Sequence, residues 1–431
     1  MRITVTRLAT VLQTLMTTTA ERVGRKSGFV QRQSKMTAAV FVQTLVFGWL
    51  ANPWATREEL SQVAAAAGVT ISPQGLDERL NEAAAKYLRA MVEETVGQVL
   101  YSAPVAIEVF QRFDGVYVID STVIQLPTEL ASEWPGCGQG QASLKLPVQM
   151  DLSTGELRVY LEAGRVHDQK TALQDYPLPE GALRLADLGF FDLDVLQSLG
   201  RQKAFWLIRF KVGAVLLDTH GQRLDLVSAL HSSTETVLDW PVQLGATHQL
   251  PARLVAERVP QAVAEERRRK VRQDARRRGQ TPSAVRLALA DWSLYLTNVP
   301  SCLMSASEAL VVATTRWQIE LLFKLWKSHG FLDESRSSIS HKILCELYAK
   351  LIAVVIQHWF CLVRLWACPD RSLVKAAQSV RKHALGLIRD LPVLPLFSRA
   401  IRILTDALAA GCRIDKSRQR TPTFQRLLAL T

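Results

Sequence analysis

The chain has 431 residues, 48% of them hydrophobic and 21% charged, a balance that excludes a disordered or fibrous protein. Its length allows two or three domains with a sizeable core. Lys and Arg outnumber Asp and Glu by 52 to 40, and the formal net charge of +12 favours a polyanionic partner such as nucleic acid or an anionic membrane surface.

In chain order, residues 1–110 read as helical and alanine-rich, and the first 26 lack the apolar core and cleavage site of a signal peptide, so export is not expected. Thr56 with Glu59 has the spacing of a capping box, and Ser72 before Pro73 is a second helix start. Gly68 lies in the connection. The outline is a helix-turn-helix whose second helix would offer Gln74, Arg79 and Asn81 to a DNA groove. A plain helical hairpin has the same pattern.

From residue 113 the period changes. "GVYVIDSTVIQLP" reads as a strand with Asp120 in its middle, and "SLKLPVQMDLSTGELRVYLEAGRV" as two strands joined at residues 153–155. A short helix is expected from Asp168, with Asp168 as its N-cap, a role that fits "RVHDQK" better than a metal site at His167 and Asp168. Then come the strand "ALRLADLGF" carrying Asp187, the helix "FDLDVLQSLGRQ" and the strand "AFWLIRFK", which together make an α/β core. Residues 212–300 read as a β-rich insertion containing the run "EERRRKVRQDARRR", eight bases against three acids. Such runs are solvated helix faces or phosphate contacts. Arg209 and Lys211, at the end of "FWLIRFK", are candidates of the same type.

Helical period returns from about residue 304 and persists to the end. In "TTRWQIELLFKLWKSHG" the residues Trp317, Leu321 and Leu325, with Phe331 beyond, recur near helical spacing and are expected to pack on the sheet, as is Trp326. Arg316, Glu320 and Lys327 fall on another strip. Residues 347–363 are the most apolar of the chain, but Lys350, Gln357 and His358 interrupt them, which suits a buried helix rather than a membrane span. The six cysteines include no CxxC pair, so reduced thiols in a cytosol are expected.

A carboxylate inside an apolar strand is unfavourable unless it is paired or binds a metal. Asp120 and Asp187 both pose that problem. If their strands are neighbours, the two carboxylates converge, and hard oxygen ligands of this kind suit magnesium or manganese. Glu320 is the candidate third ligand.

"VIDST", "LADLGFF" and "RWQIELLFKLWK" together resemble the DDE transposases of bacterial insertion sequences. More narrowly they resemble the branch that carries a β-rich insertion and the signature tyrosine, two residues, arginine, three residues, glutamate, six residues, lysine. Arg316, Glu320 and Lys327 match that signature in identity and spacing, while Ala313 stands where the tyrosine belongs. Thr314 or Thr315 would then substitute, or the end complex would be held more weakly.

The resemblance, over about residues 110–360, implies a ribonuclease-H-like core formed by residues 111–211 and 301–340. Around it would lie the insertion (212–300), a helical DNA-binding region (1–110) and a helical C-terminal region (341–431) available for dimerisation. It implies Asp120, Asp187 and Glu320 as the metal-binding triad, with two Mg2+ or Mn2+ ions roughly 3.5–4 Å apart clamping the oxygens of an in-line displacement at phosphorus. It implies phosphate contacts from Arg316 and Lys327, and a Trp292 that stacks on a flipped base, although Trp292 could equally be a core residue of the insertion. The expected activity is cleavage of transposon ends and strand transfer to target DNA by a homodimer, with or without a hairpin intermediate. A catalytically silent DNA-binding derivative and a stand-alone nuclease of the same fold share these residues.

Overall fold

A computed structural model describes residues 2–32, 34–415 and 423–429. The chain divides into two compact units, one built from Met1–Ala106, Ser121–Val166 and Gln318–Arg420, the other from Ile107–Asp120, His167–Trp317 and Thr421–Thr431. The architecture is mixed α/β, as the sequence pattern indicates.

In the first unit, helix α1 (Arg57–Ala66) starts at the expected capping box. The Thr56 hydroxyl accepts from the Glu59 amide at 3.1 Å, and the Glu59 carboxylate accepts from the Thr56 amide at 2.7 Å. Helix α2 (Pro73–Glu78) starts at Ser72 with Pro73 in its first turn, and Gly68, with φ of +83°, turns the chain between the two helices. It is shorter than the sequence suggests. Asn81 accepts from the Ala84 amide and so begins a new helix, α3 (Glu82–Val96), which takes Arg79 and Asn81 off the face they were expected to share with Gln74.

Strand β1 (Val116–Leu126) contributes its residues 121–126 to this unit, where β2 (Ala142–Asp151) lies between β1 and β3 (Leu157–Val159), and β4 (Glu162–Ala163) also pairs with β2. All ten residues of β2 are buried, the signature of a strand covered on both faces. Asp151 closes the β2–β3 turn by accepting from the Ser153 amide and the Thr154 hydroxyl.

In the second unit the strand order is β1-β5-β6-β10-β9-β8-β7. The strands are β5 (Leu183–Ala186), β6 (Phe205–Arg209), β7 (Leu216–Leu217), β8 (Val237–Leu244), β9 (Leu250–Arg258) and β10 (Trp292–Thr297). Strands β1, β5 and β6 are parallel, and β10 runs antiparallel to both β6 and β9. Residues 212–300 therefore extend the same sheet, through β10, rather than standing apart from it. Helix α4 (Gln261–Arg277) carries the basic run, and α5 (Ala306–Thr314) begins at a second capping box, Ser305 with Glu308.

Helix α6 (Trp317–Ser328) leads back into the first unit, followed by α7 (Ser340–Arg364). Residues 344–362 of α7 are all buried, so its all-round apolarity is that of a core helix. It is the one described helix long and apolar enough to cross a membrane, and 94% of that stretch is buried within the protein.

Candidate active site

The register of two parallel strands sets the site. Ile119 of β1 pairs with Ala186 of β5, so the next residues along each strand are Asp120 and Asp187. Neighbouring strands lie about 4.8 Å apart, and both aspartates directly follow the parallel-paired segment Val116–Ile119 with Leu183–Ala186, at its carboxyl end, the side on which open parallel sheets bind ligands. β5 stops at Ala186, whereas β1 continues to Leu126. Asp187 consequently sits at a strand end and caps the 3-10 turn Leu188–Phe190, its Oδ1 accepting from the Leu188 amide at 2.7 Å.

Asp120 Oδ2 accepts from Arg316 Nη1 at 3.3 Å, and both side chains are about one-fifth exposed. Arg316 precedes α6 rather than lying on it. Glu320 falls in the first turn of α6, four residues after Arg316. A cation thus already stands beside the first aspartate, and the two adjacent carboxylates offer the hard oxygen donors that a divalent ion takes. Among the described residues no three carboxylate, imidazole or thiolate groups are gathered into a metal-holding cluster.

Gly189 packs closely against Asp168. A Cβ there would fall 2.7 Å from Asp168 Oδ2, so a side chain at this position would push the Asp168 carboxylate aside. Asp168 does not cap the turn Asp168–Lys170. His167 holds the cap position and makes no side-chain cap bond, while Gln169 and Gln174 donate to the carbonyls of Phe191 and Phe190.

The other expected residues are placed as follows. Lys327 Nζ donates to the Val123 carbonyl at 2.9 Å, anchoring α6 to the distal part of β1. Ile319, Leu322, Phe323, Leu325 and Trp326 form the buried face of α6. Trp317 and Leu321 do not pack on the sheet: they are 57% and 46% exposed, because the i, i+3, i+4, i+7 strip that faces inward is 319-322-323-326. Thr315 is buried, and the hydroxyls of Thr314 and Thr315 donate back to Val311 and Val312, so Thr315 cannot stand in for the tyrosine missing at Ala313. Trp292 is only 6% exposed and carries the Arg258 guanidinium 4.8 Å above its ring, so a base reaching it would have to displace that arginine.

Arg209 is exposed at the end of β6, and Lys211 places its ammonium 5.5 Å from the Phe191 ring centre. Gln74 donates to Glu78 within α2, and Arg79 donates to the Ser34 hydroxyl. The Asp120–Arg316 pair and the Lys327 anchor were not singled out from the sequence, although all the residues were; no local pattern tells a lysine that binds phosphate from one that binds a carbonyl.

The profile of the family described as a transposase DDE domain matches residues 111–356. The chain is also similar to the transposase for insertion sequence element IS231F of Bacillus thuringiensis subsp. israelensis, 25% identical over 397 residues that cover 86% of this chain and 82% of that protein. The transposase for insertion sequence element IS231C of Bacillus thuringiensis subsp. berliner is 25% identical over 422 residues, covering 90% and 86%. The transposase for insertion sequence element IS1151 of Clostridium perfringens is 25% identical over 370 residues, covering 78% and 76%. With more than half its length inside the family profile, including β1, β5 and α6, the chain belongs to the DDE transposases.

Proposed function

We propose that this protein is the transposase of an insertion sequence, cleaving the element's ends and joining them to target DNA, with Asp120, Asp187 and Glu320 as its catalytic carboxylates. One observation carries the reading: the parallel register that puts Asp120 beside Asp187, with Arg316 on the first of them. Glu320 enters on family spacing, four residues after Arg316 and seven before Lys327.

The family generally uses divalent metal ions. Two Mg2+ or Mn2+ ions bound here would supply Lewis acidity at phosphorus and lower the pKa of a water or a DNA 3′-hydroxyl. The chain's own residues divide the remaining tasks. Asp120 and Asp187, fixed by adjacent strands, hold the cation charge on a rigid edge. Arg316, with a planar fork of donors, passes from Asp120 to a phosphate when DNA enters. Lys327 fixes the pitch of α6 through Val123, which sets where Glu320 stands. No protein nucleophile is needed. The ribonuclease-H-like description of the core, duplex contacts by residues 1–110 and pairing of two ends by a homodimer belong to the same reading.

The test uses the full chain with its element's end DNA, Mg2+ and a supercoiled target. Asp120→Asn, Asp187→Asn and Glu320→Gln should each abolish cleavage and joining while end binding persists. A variant of any of the three that still cleaves removes that residue from the assignment, and wild-type cleavage without joining makes the protein a nuclease.

A further inference from the structure

Helix α4 divides its cations between two faces. Arg267 Nη1 donates to the Trp292 carbonyl at 2.9 Å and Nη2 to the Ser293 hydroxyl at 3.0 Å. Arg268 Nη2 reaches both oxygens of Asp291 at 2.6 Å. With buried Ala264, these two arginines form the face that fastens the helix to β10 and the turn before it. At 3.6 residues per turn, Arg269, Arg276 and Arg277 lie roughly 130–150° round the helix from that face, with Lys270 and Arg272 on its flanks at roughly 90–110°. All five are exposed, as is Arg278 just beyond the helix.

The outer acids are spent early in the helix. Glu266 takes Arg269 at 2.7 Å and Lys270 at 3.7 Å, which leaves Arg272, Arg276, Arg277 and Arg278 against Asp274, 3.9 Å from Arg277. Complementing the helix dipole accounts for cations in the last turn but not for Arg272. Arg272 and Arg276, four apart, repel each other on an isolated helix. A face that keeps such repulsion is built for an anion. From Arg269 to Arg276 the strip runs about 10 Å, and one DNA strand presents a phosphate about every 3.4 Å of axis, so the strip spans about three phosphates.

We propose that the outer face of α4 is a second DNA contact, gripping the phosphate backbone of a duplex and contributing affinity without reading sequence. The proposal rests on the reading that the chain acts on duplex DNA. The test is a fluorescence-anisotropy titration of the full chain with a duplex of unrelated sequence between 50 and 200 mM salt. Replacing Arg272, Arg276 and Arg277 together by Gln should reduce the slope of log affinity against log salt by about 2–3, so that the affinity lost across that range shrinks by roughly 40-fold. The triple Lys variant should keep the wild-type slope, because a point charge suffices, and both variants should melt with the wild type. An unchanged slope in the folded Gln variant overturns this proposal alone. A wild-type chain that binds no duplex overturns it together with the reading of the function.

Discussion

Lys350→Met tests how the segment that follows α6 is held. Lys350 and Glu346 of α7 are each 1% exposed, with the ammonium 2.8 Å from Glu346 Oε1. Lys350 Nζ also donates to the Phe331 carbonyl at 3.0 Å and the Glu334 carbonyl at 2.9 Å. Glu346 Oε2 in turn accepts from the Ser335 hydroxyl and the Arg336 amide. The pair therefore ties residues 331–336 to the core helix, and Phe331 is held there at φ of +48°, a left-handed conformation that costs a non-glycine residue about 1–2 kcal/mol. Burial pulls the lysine pKa below its usual value, and the neighbouring carboxylate opposes that shift.

Removing one partner of a buried pair costs about 3–5 kcal/mol, because it leaves the other charge desolvated and alone. At about 2 °C per kcal/mol for a unit of this size, Lys350→Met should lower the Tm by roughly 6–10 °C. Adding Glu346→Leu should recover most of that, since the stranded carboxylate is gone. The double variant still leaves the Phe331 and Glu334 carbonyls without their donor, so the amides of residues 331–336 should exchange with deuterium faster than in the wild type even after stability returns. Calorimetry on the four members of the cycle, with hydrogen exchange on the double variant, reads both. A single variant that melts within 1 °C of the wild type would show that the pair is not a desolvated charge, and the reasoning would fail.

His358 should make the protein acid-sensitive. Its Nε2 lies 2.7 Å from the Gly155 carbonyl, and burial pushes the imidazole down from 6.5 to about 4. The unfolded chain then takes up a proton that the folded chain refuses, so stability contributed above pH 6.5 is lost as pH falls toward 4, about 3 kcal/mol in all. In denaturant titrations His358→Phe should flatten that part of the pH dependence; a variant with the wild-type slope there would acquit the histidine. Gly155→Ala should destabilise by about 2–4 kcal/mol, because φ is +75° and the new Cβ would meet Leu362 Cδ2 at 2.5 Å and Trp366 Cδ2 at 2.6 Å. A melting temperature equal to wild type would mean that the β2–β3 turn can move away from α7. Trp292→Ala should cost about 3–5 kcal/mol as a core truncation, whereas Trp292→Phe should stay close to wild type. If the alanine variant melts normally, the ring is not part of the core.

The sequence by itself determined the local chemistry. The capping box at Thr56 and the proline start at Pro73 are written in side chains a few residues apart, where hydrogen bonds close within one turn. Asp120, Asp187 and the Arg316–Glu320–Lys327 spacing were legible because their residue types are costly or distinctive where they stand. Tertiary structure decided what neighbours are. Only strand pairing fixes Ile119 against Ala186, and so puts two aspartates 67 positions apart side by side. It chose which strip of α6 faces inward, exposing Trp317 and Leu321, which apolar spacing alone would place against the sheet. Likewise it sent Lys327 to a backbone carbonyl and split the arginines of α4 into anchors and an outer face. Local signals act through contacts of a few residues, while the partner of a long, charged side chain is set by whatever the fold brings within its reach.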